Sequence, residues 1–250
     1  MKRFFGILLF ITCTTVHAQM AMGLVAGVNL SNELTTFSGT ANATANKVNS
    51  FKGIVIGPTI ELIIPNYNIG LELGTFFSRK GSNINYFLDN TDKSYALLLE
   101  GYKSYDYLEV PVLIKWKFGP RDFKMFAAGG LYWSYALSGK IGIEKAQDLL
   151  NNNQNLPDLI KTTQMDFGDG VGTAFNTMDR GYTFGIGLEL VRTLQLAVYY
   201  TYGTTSTIND FSMKVLLPED TYGYNESDYE ISSHHNVFSL RLTYLFSSQR

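Results

Sequence analysis

The chain has 250 residues and a formal net charge of −2 at pH 7, and this length suits one barrel or sandwich, or two small domains. A charge this close to zero argues against nucleic-acid binding, and a single Cys excludes a disulfide framework. Aromatic residues (14%) and glycines (23 in number) are both abundant.

The N-terminus has the three parts of a secretory signal peptide. Lys2 and Arg3 supply a basic region, a short apolar run follows, and Val16-His17-Ala18 resembles a cleavage site. The apolar run is too short for a transmembrane helix, which needs about 20 apolar residues. We therefore predict a signal peptide at residues 1–18 and a mature barrel domain, without Cys, at residues 19–250.

Eight later segments alternate with period two between apolar residues and small, polar or charged ones, as half-buried strands do. The central example is residues 106–118, where Leu108 begins an apolar face while Glu109 and Lys115 lie on the other face. Pro111 would break a helix at this point. The predicted strands are residues 21–31, 51–64, 69–80, 106–118, 123–137, 181–191, 194–202 and 235–246.

The connections between these strands are alternately long and short. Turn-forming residues predict tight turns at residues 65–68, 119–122 and 192–193. Residues 32–50, rich in Ser, Thr, Asn and Ala, predict a long loop, and so do the polar residues 81–104 and 203–233. Residues 138–180 form the longest predicted connection. Within the long connections, we expect residues 95–99 to prolong a hairpin and residues 144–150 to form one or two helical turns.

The composition of the two strand faces indicates which face meets water. The polar face is rich in Gly and carries only one or two charges per strand, which is too sparse for a surface in water. The apolar face is nearly unbroken and often aromatic near its ends, which is typical of a wall in contact with lipid. Because backbone groups in lipid must all be paired, such a sheet has to close.

We therefore predict an all-β fold, an eight-stranded antiparallel transmembrane β-barrel with up-and-down meander topology, in the bacterial outer membrane. Both termini and the short turns are expected in the periplasm, and the long loops outside the cell.

The interior of so small a barrel is filled by side chains, and opposite charges buried there must pair because an unpaired one is very costly. We predict an internal network in which Lys115 and Arg241 neutralise some of the inward-facing carboxylates. Its members are Glu61, Glu72, Glu109, Lys115, Glu189 and Arg241. Two roles stay open. Neutralising Arg241 would mainly lower stability if the network is structural, and would change conductance if it is a gated ion or proton path.

Four segments of the chain resemble one family. They are GLVAGVNLSN at residues 23–32, YLEVPVLIKWKFG at 107–119, MDRGYTFGIGLEL at 178–190 and LQLAVYYTYG at 194–203. Together they resemble the PorT-like outer-membrane β-barrel proteins of Bacteroidetes, and the resemblance extends over nearly the whole mature chain outside the loops. It implies an outer-membrane barrel of about eight strands, with a namesake that takes part in protein secretion across the outer membrane. It implies no catalytic motif.

No residue pattern in the chain predicts an enzyme, a cofactor or a metal site. His234 and His235 are adjacent, so they point to opposite sides of a strand and cannot easily chelate one metal ion. Residues 166–170, DFGDG, supply fewer ligands than Ca²⁺ requires and lack the spacing of an EF-hand. Ser and Asp residues near the His pair provide the residue types of a hydrolase without a specific spacing.

The expected function is a structural or interaction role at the cell surface, linked to protein secretion or envelope maintenance. The alternative is a narrow pore for ions or small solutes. We expect outer-membrane lipid, lipopolysaccharide and envelope or secretion proteins as partners. The acidic loop with Asp220, Glu226, Asp228 and Glu230 is either solvated charge or a site for a cationic partner or a bridging divalent ion.

Overall fold

The computed structural model describes residues 19–38, 50–64, 67–89, 96–120, 122–148, 154–155, 157, 160–168, 175–208 and 230–248. The predicted signal peptide lies outside these residues. Within them, no helix is long and apolar enough to cross a membrane. The strands are β1 (Gln19–Ser38), β2 (Phe51–Ile64), β3 (Ile69–Gly74), β4 (Phe76–Asp89), β5 (Ala96–Phe118), β6 (Phe123–Asp148), β7 (Gln154–Asn155), β8 (Thr162–Gln164), β9 (Met178–Leu190), β10 (Leu194–Gly203) and β11 (Glu230–Ser248).

Antiparallel pairing of neighbouring strands closes the sheet on itself. β1 pairs with β2 on one side and with β11 on the other, and the pairing continues through β5, β6, β9 and β10. β3 and β4 follow one another along the chain, interrupted only at Thr75, and both pair with β2 and with β5. They therefore count as one strand of the barrel wall. The wall therefore has eight strands, and the predicted antiparallel meander is confirmed.

The predicted tight turns fall at one end of the barrel, and residues 65–66 and 121 of these turns lie outside the described residues. In the turn between β9 and β10, the Thr193 N–H donates to the Leu190 carbonyl at 3.2 Å. Val191 and Arg192 between them have positive φ angles of 51° and 59°. Such a two-residue turn favours Gly or Asn, and a β-branched residue is crowded in this conformation. Val191 therefore strains this turn.

At the opposite end, the strands run beyond their predicted limits. β1 continues to Ser38, β6 to Asp148, and β11 begins at Glu230. Residues 96–99 prolong the hairpin of β4 and β5, as predicted. The prediction of helical turns at residues 144–150 is wrong over its described part, because residues 145–148 pair with residues 97–100 of β5 and continue the sheet.

The apolar strand faces form the outer surface of the barrel, as predicted. Leu24 and Trp116 are 50% and 60% exposed, whereas their inward-facing neighbours Val25 and Lys115 are 2% and 1% exposed. On β11 the outward apolar stretch runs from position 238 to position 246, which matches the length of about 9–11 residues that crosses a membrane. Aromatic side chains edge this band at both ends, with Tyr135, Tyr182 and Tyr202 at one end and Trp116, Phe118, Tyr244 and Phe246 at the other.

Inward-facing glycines make room for aromatic rings inside the barrel. A Cβ atom at Gly187 would overlap the ring of Phe126, and one at Gly185 would overlap the ring of Tyr199. Phe126 and Tyr199 are both buried and belong to one interior cluster. The abundance of Gly on the inward face thus follows from the small radius of an eight-stranded barrel.

Candidate functional site in the barrel interior

The barrel interior holds a set of charged side chains that are at most 8% exposed. Each of them makes at least one ion pair. Along the barrel they form one cluster near the tight turns, one in the middle and one at the opposite mouth. They are Glu33, Glu61, Glu72, Glu109, Asp179 and Glu189, with Lys80, Lys103, Lys115, Lys117 and Arg241.

Lys115 lies at the centre of the cluster near the tight turns. Its Nζ atom contacts the Glu72 carboxylate and lies 3.6 Å from Glu61 Oε2. The same ammonium group donates a hydrogen bond of 2.8 Å to Gln195 Oε1. Two inward-facing carboxylates therefore share one cation, which lowers the cost of burying all three charges.

Lys117 completes this cluster from the same strand. Its Nζ atom contacts Glu61 Oε1 and lies 2.5 Å from Glu189 Oε2. The amide of Gln195 donates to both carboxylates at 2.9 Å. The structure thus pairs Glu189 with Lys117. Lys117 is absent from the predicted network, although it lies two positions after Lys115 on the same face of the strand.

The middle cluster is built around Lys80 of β4. Its Nζ atom lies 2.8 Å from Glu109 Oε2 and 3.3 Å from Asp179 Oδ2. The Tyr132 hydroxyl donates to both oxygens of Asp179, at 3.0 and 3.1 Å, and the Tyr132 ring centroid lies 4.4 Å from Lys80 Nζ. β4, β5, β6 and β9 are therefore linked through one ammonium group.

Arg241 of β11 joins the middle cluster from the other side of the barrel. Its Nη2 atom lies 3.3 Å from Glu109 Oε1. Its guanidinium lies between two aromatic rings, with its carbon 5.3 Å from the centroid of Phe76 and 4.8 Å from that of Tyr199. The Nε and Nη1 atoms have no hydrogen-bond partner among the described residues. The two cation–π contacts stabilise the guanidinium charge in place of hydrogen bonds to water.

Glu33 of β1 holds the cluster at the mouth together. Its Oε2 atom lies 3.3 Å from Lys103 Nζ and accepts a hydrogen bond of 3.1 Å from Ser82. Its Oε1 atom accepts from Tyr105, at 3.4 Å, and from Thr207. Because Thr207 follows β10, this one carboxylate ties a connecting segment to the inside of the wall.

An aromatic cluster lies inside the barrel next to these charges. The rings of Phe167 and Phe175 lie 6.3 and 6.1 Å from that of Tyr105, in edge-on arrangements. The His235 ring lies 5.0 Å from Tyr105 on another side. Met165 is buried in the same cluster. Part of the connection between β6 and β9, predicted as a long loop, therefore packs inside the barrel at the level of Tyr105.

His234 and His235 are adjacent on β11, at the mouth end of the barrel. His235 is fully buried, and its Nε2 atom lies 3.3 Å from the Tyr107 hydroxyl. Asp166 of the DFGDG segment is exposed, and residues 169–170 lie outside the described residues. Among the residues searched, no group of three or more His, Cys, Asp or Glu side chains could hold a metal ion. Asp220, Glu226 and Asp228 also lie outside the described residues.

Besides Lys117, sequence reasoning missed four members of these clusters, which are Lys80, Lys103, Asp179 and Glu33. Glu33, Lys103 and Asp179 lie beyond the predicted strand ends. Lys80 ends the third predicted strand, at an inward-facing position. The period-two alternation could have found them. It continues past the polar residues at which the predicted strands end, and it places these charged residues on the inward face.

The sequence from residue 17 to residue 209 matches the model of a protein family described as outer membrane protein beta-barrel domain. The chain belongs to this family. The closed meander with an apolar exterior agrees with that assignment, and the protein is located in the bacterial outer membrane. No curated protein has a sequence that matches this chain significantly.

Several solved outer-membrane barrels are similar to the chain in structure, at low sequence identity. Ail of Yersinia pestis, solved with the heparin analogue sucrose octasulfate, shares 11% identity, with 91% of this chain and 99% of that chain covered and a TM-score of 0.36. OprG of Pseudomonas aeruginosa shares 11% identity, with 93% and 98% covered and a TM-score of 0.39. The protease OmpT of Escherichia coli also shares 11%, with 93% and 98% covered and a TM-score of 0.37.

Proposed function

We propose that this outer-membrane barrel is a closed membrane anchor that binds partners at the cell surface, in association with protein-secretion or envelope-maintenance machinery. The observation that carries the proposal is the filled interior, in which the charged side chains are buried against one another and against an aromatic cluster near the mouth. The link to secretion is supported by the resemblance of residues 107–119 and the other three motifs to the PorT-like family.

A water-filled channel would leave the interior charges hydrated. Glu61, Lys80, Lys115 and Arg241 are instead between 1% and 3% exposed, and each has an oppositely charged neighbour. Separating such a pair leaves a buried charge unpaired, which costs about 3–5 kcal/mol. The proposal therefore expects no steady ion conductance.

The strand extensions supply the interaction surface in this proposal. Beyond Arg79 and Asp106, which mark the end of the apolar exterior on β4 and β5, the hairpin continues to Asp89 and Ala96. That is roughly 30 Å of strand at about 3.3 Å per residue. β6 extends beside it and pairs with β5 as far as Asp148. A stiff sheet of this size is better suited to contacting a protein than to sealing a pore.

The test is co-purification from gently solubilised outer membranes, comparing the full chain with a variant whose β4–β5 hairpin is cut back to a short turn after residue 83. The membrane-spanning part of the wall is unchanged in this variant. We expect envelope or secretion components to co-purify in stoichiometric amount with the full chain and to be lost from the variant. Recovery of the barrel alone in both cases would contradict the proposal.

The second candidate function, a narrow pore, is favoured by one observation. The charged clusters run from the tight turns to the mouth, so a rearrangement of ion pairs could open a polar path. Planar-bilayer recording separates the two functions. Discrete conductance steps that disappear when Lys80 is replaced by Met would support the pore and contradict the closed anchor.

A further inference from the structure

Near the mouth end of the barrel, the outward face of each wall strand carries a polar residue directly beyond its apolar stretch. On β1 and β9 one exposed apolar residue, Leu34 or Met178, lies beyond that polar residue. The polar residues are Asn32, Lys52, Arg79, Asp106, Ser138, Arg180, Thr204 and Asn236, with the exposed Lys140 two residues after Ser138. We call these nine residues the outer belt. Four of them are cations and one is an acid.

Among the described residues, the end of the barrel with the tight turns has no comparable belt. There the last outward-facing residue on each strand is apolar. These residues are Met20, Ile64, Ile69, Phe118, Phe123, Leu190, Leu194 and Phe246. The cations of the outward surface are therefore concentrated at one face of the membrane, the face where the long connections lie.

The cations of the outer belt are only partly neutralised by the protein. Arg79 forms a bidentate pair with Asp106, at 2.6 and 3.0 Å, and Lys140 contributes to stabilising the Asp106 carboxylate. Lys52 and Arg180 make no ion pair within the part of the chain that the structure describes. The four cations lie on four different strands, and with the single acid they give the belt a net charge of +3.

We infer that the outer belt binds the phosphate groups of lipopolysaccharide in the outer leaflet. The belt lies at the upper limit of the lipid-facing band, which is the depth of lipid headgroups. Lys and Arg at such a surface are attracted to anionic headgroups by about 1 kcal/mol each, and a guanidinium can bind a phosphate through two hydrogen bonds. Tyr182 lies directly below Arg180 on β9 and Tyr202 lies on the neighbouring strand, both half-exposed, where they contact the acyl chains next to the headgroup.

The inference does not depend on the proposed surface partner, because the belt faces lipid rather than the extracellular medium. Its test uses the mature barrel reconstituted in nanodiscs that contain lipopolysaccharide, in nanodiscs with dephosphorylated lipopolysaccharide, and in nanodiscs with phosphatidylglycerol. Tightly bound lipopolysaccharide is counted by native mass spectrometry after extraction into mild detergent.

The variants are Lys52→Gln, Arg180→Gln and the two combined, with Lys161→Gln as the matched control. Lys161 is exposed but lies in the connection above the barrel wall. We expect each belt variant to lower retention of lipopolysaccharide about fivefold and the double variant about 25-fold. The control should retain it like the unchanged protein, and dephosphorylated lipopolysaccharide should not be retained by any of them.

The charge-preserving pair Lys52→Arg with Arg180→Lys separates binding from folding. This variant should retain lipopolysaccharide, because its charges stay in place. Equal retention by the unchanged protein and the double Gln variant would overturn the inference. So would an equal loss in the Lys161→Gln control, since binding would then follow net charge and not the belt.

Discussion

Replacing Lys117 by Met tests whether the interior ion pairs stabilise the barrel. Lys117 contacts Glu61 and lies 2.5 Å from Glu189. Met keeps most of the side-chain volume and removes the charge, so two buried carboxylates lose a cation. Breaking a buried pair in this way costs about 3–5 kcal/mol, and we expect a loss of that size in the free energy of unfolding.

The second variant in this test also removes one of the two carboxylates that have lost Lys117 as their cation. In the variant Lys117→Met with Glu189→Gln, Glu61 keeps Lys115 at 3.6 Å and position 189 no longer carries a charge. We therefore expect about half of the lost stability to return. The matched control is Lys161→Met, where an exposed Lys is lost and the change should stay within about 0.5 kcal/mol.

The assay is unfolding by urea from lipid vesicles, followed by tryptophan fluorescence. Trp116 and Trp133 are the two Trp residues of the chain, and both face outward, at 60% and 40% exposed. Their emission therefore reports transfer from lipid to water. A Lys117→Met variant within about 1 kcal/mol of the unchanged protein, or a double variant less stable than the single one, would refute the reasoning.

Three further predictions concern single residues. Arg241→Met should lower the free energy of unfolding by about 2 kcal/mol, less than Lys117→Met, because Glu109 keeps Lys80 at 2.8 Å. It should also leave the bilayer without conductance steps, whereas a gated path predicts that they appear. Val191→Asn should raise the free energy of unfolding by about 1 kcal/mol, because Asn tolerates the φ of 51°. Gly187→Val should lower it by about 1–3 kcal/mol through overpacking against Phe126. Urea unfolding in vesicles checks the stability changes, and planar-bilayer recording checks conductance.

The strand faces could be predicted from the sequence because lipid and a polar interior impose opposite requirements on neighbouring residues. Leu108 and Glu109 follow that alternation, and the structure places them outside and inside the wall at 41% and 1% exposed. A β-barrel repeats this pattern on every strand. Eight strands and three tight turns therefore followed from periodicity and turn residues alone.

The strand ends and the middle cluster could not be predicted in the same way. Beyond the membrane, strands need no apolar exterior, so the alternation weakens where β5 continues back to Ala96. Asp179 belongs to the middle cluster only because β9 begins at Met178 and pairs with β6, where Asp179 lies opposite Ser134. Which Lys meets which carboxylate depends on strand register across the barrel, and this information is not local in the sequence.

The charged interior also explains why the strands keep one register. A shift of β5 by one residue would turn Glu109, Lys115 and Lys117 toward lipid, because the side-chain period of a strand is two. All three lie on the stretch of β5 whose other face meets lipid, and an exposed Lys costs up to about 2–4 kcal/mol there, with the cost falling toward the membrane surfaces. The same shift would remove Glu109 from Lys80 and Arg241, leaving two buried cations without their nearest carboxylate. An entirely apolar strand would lose little in such a shift, so the buried charges specify which face of each strand meets the membrane.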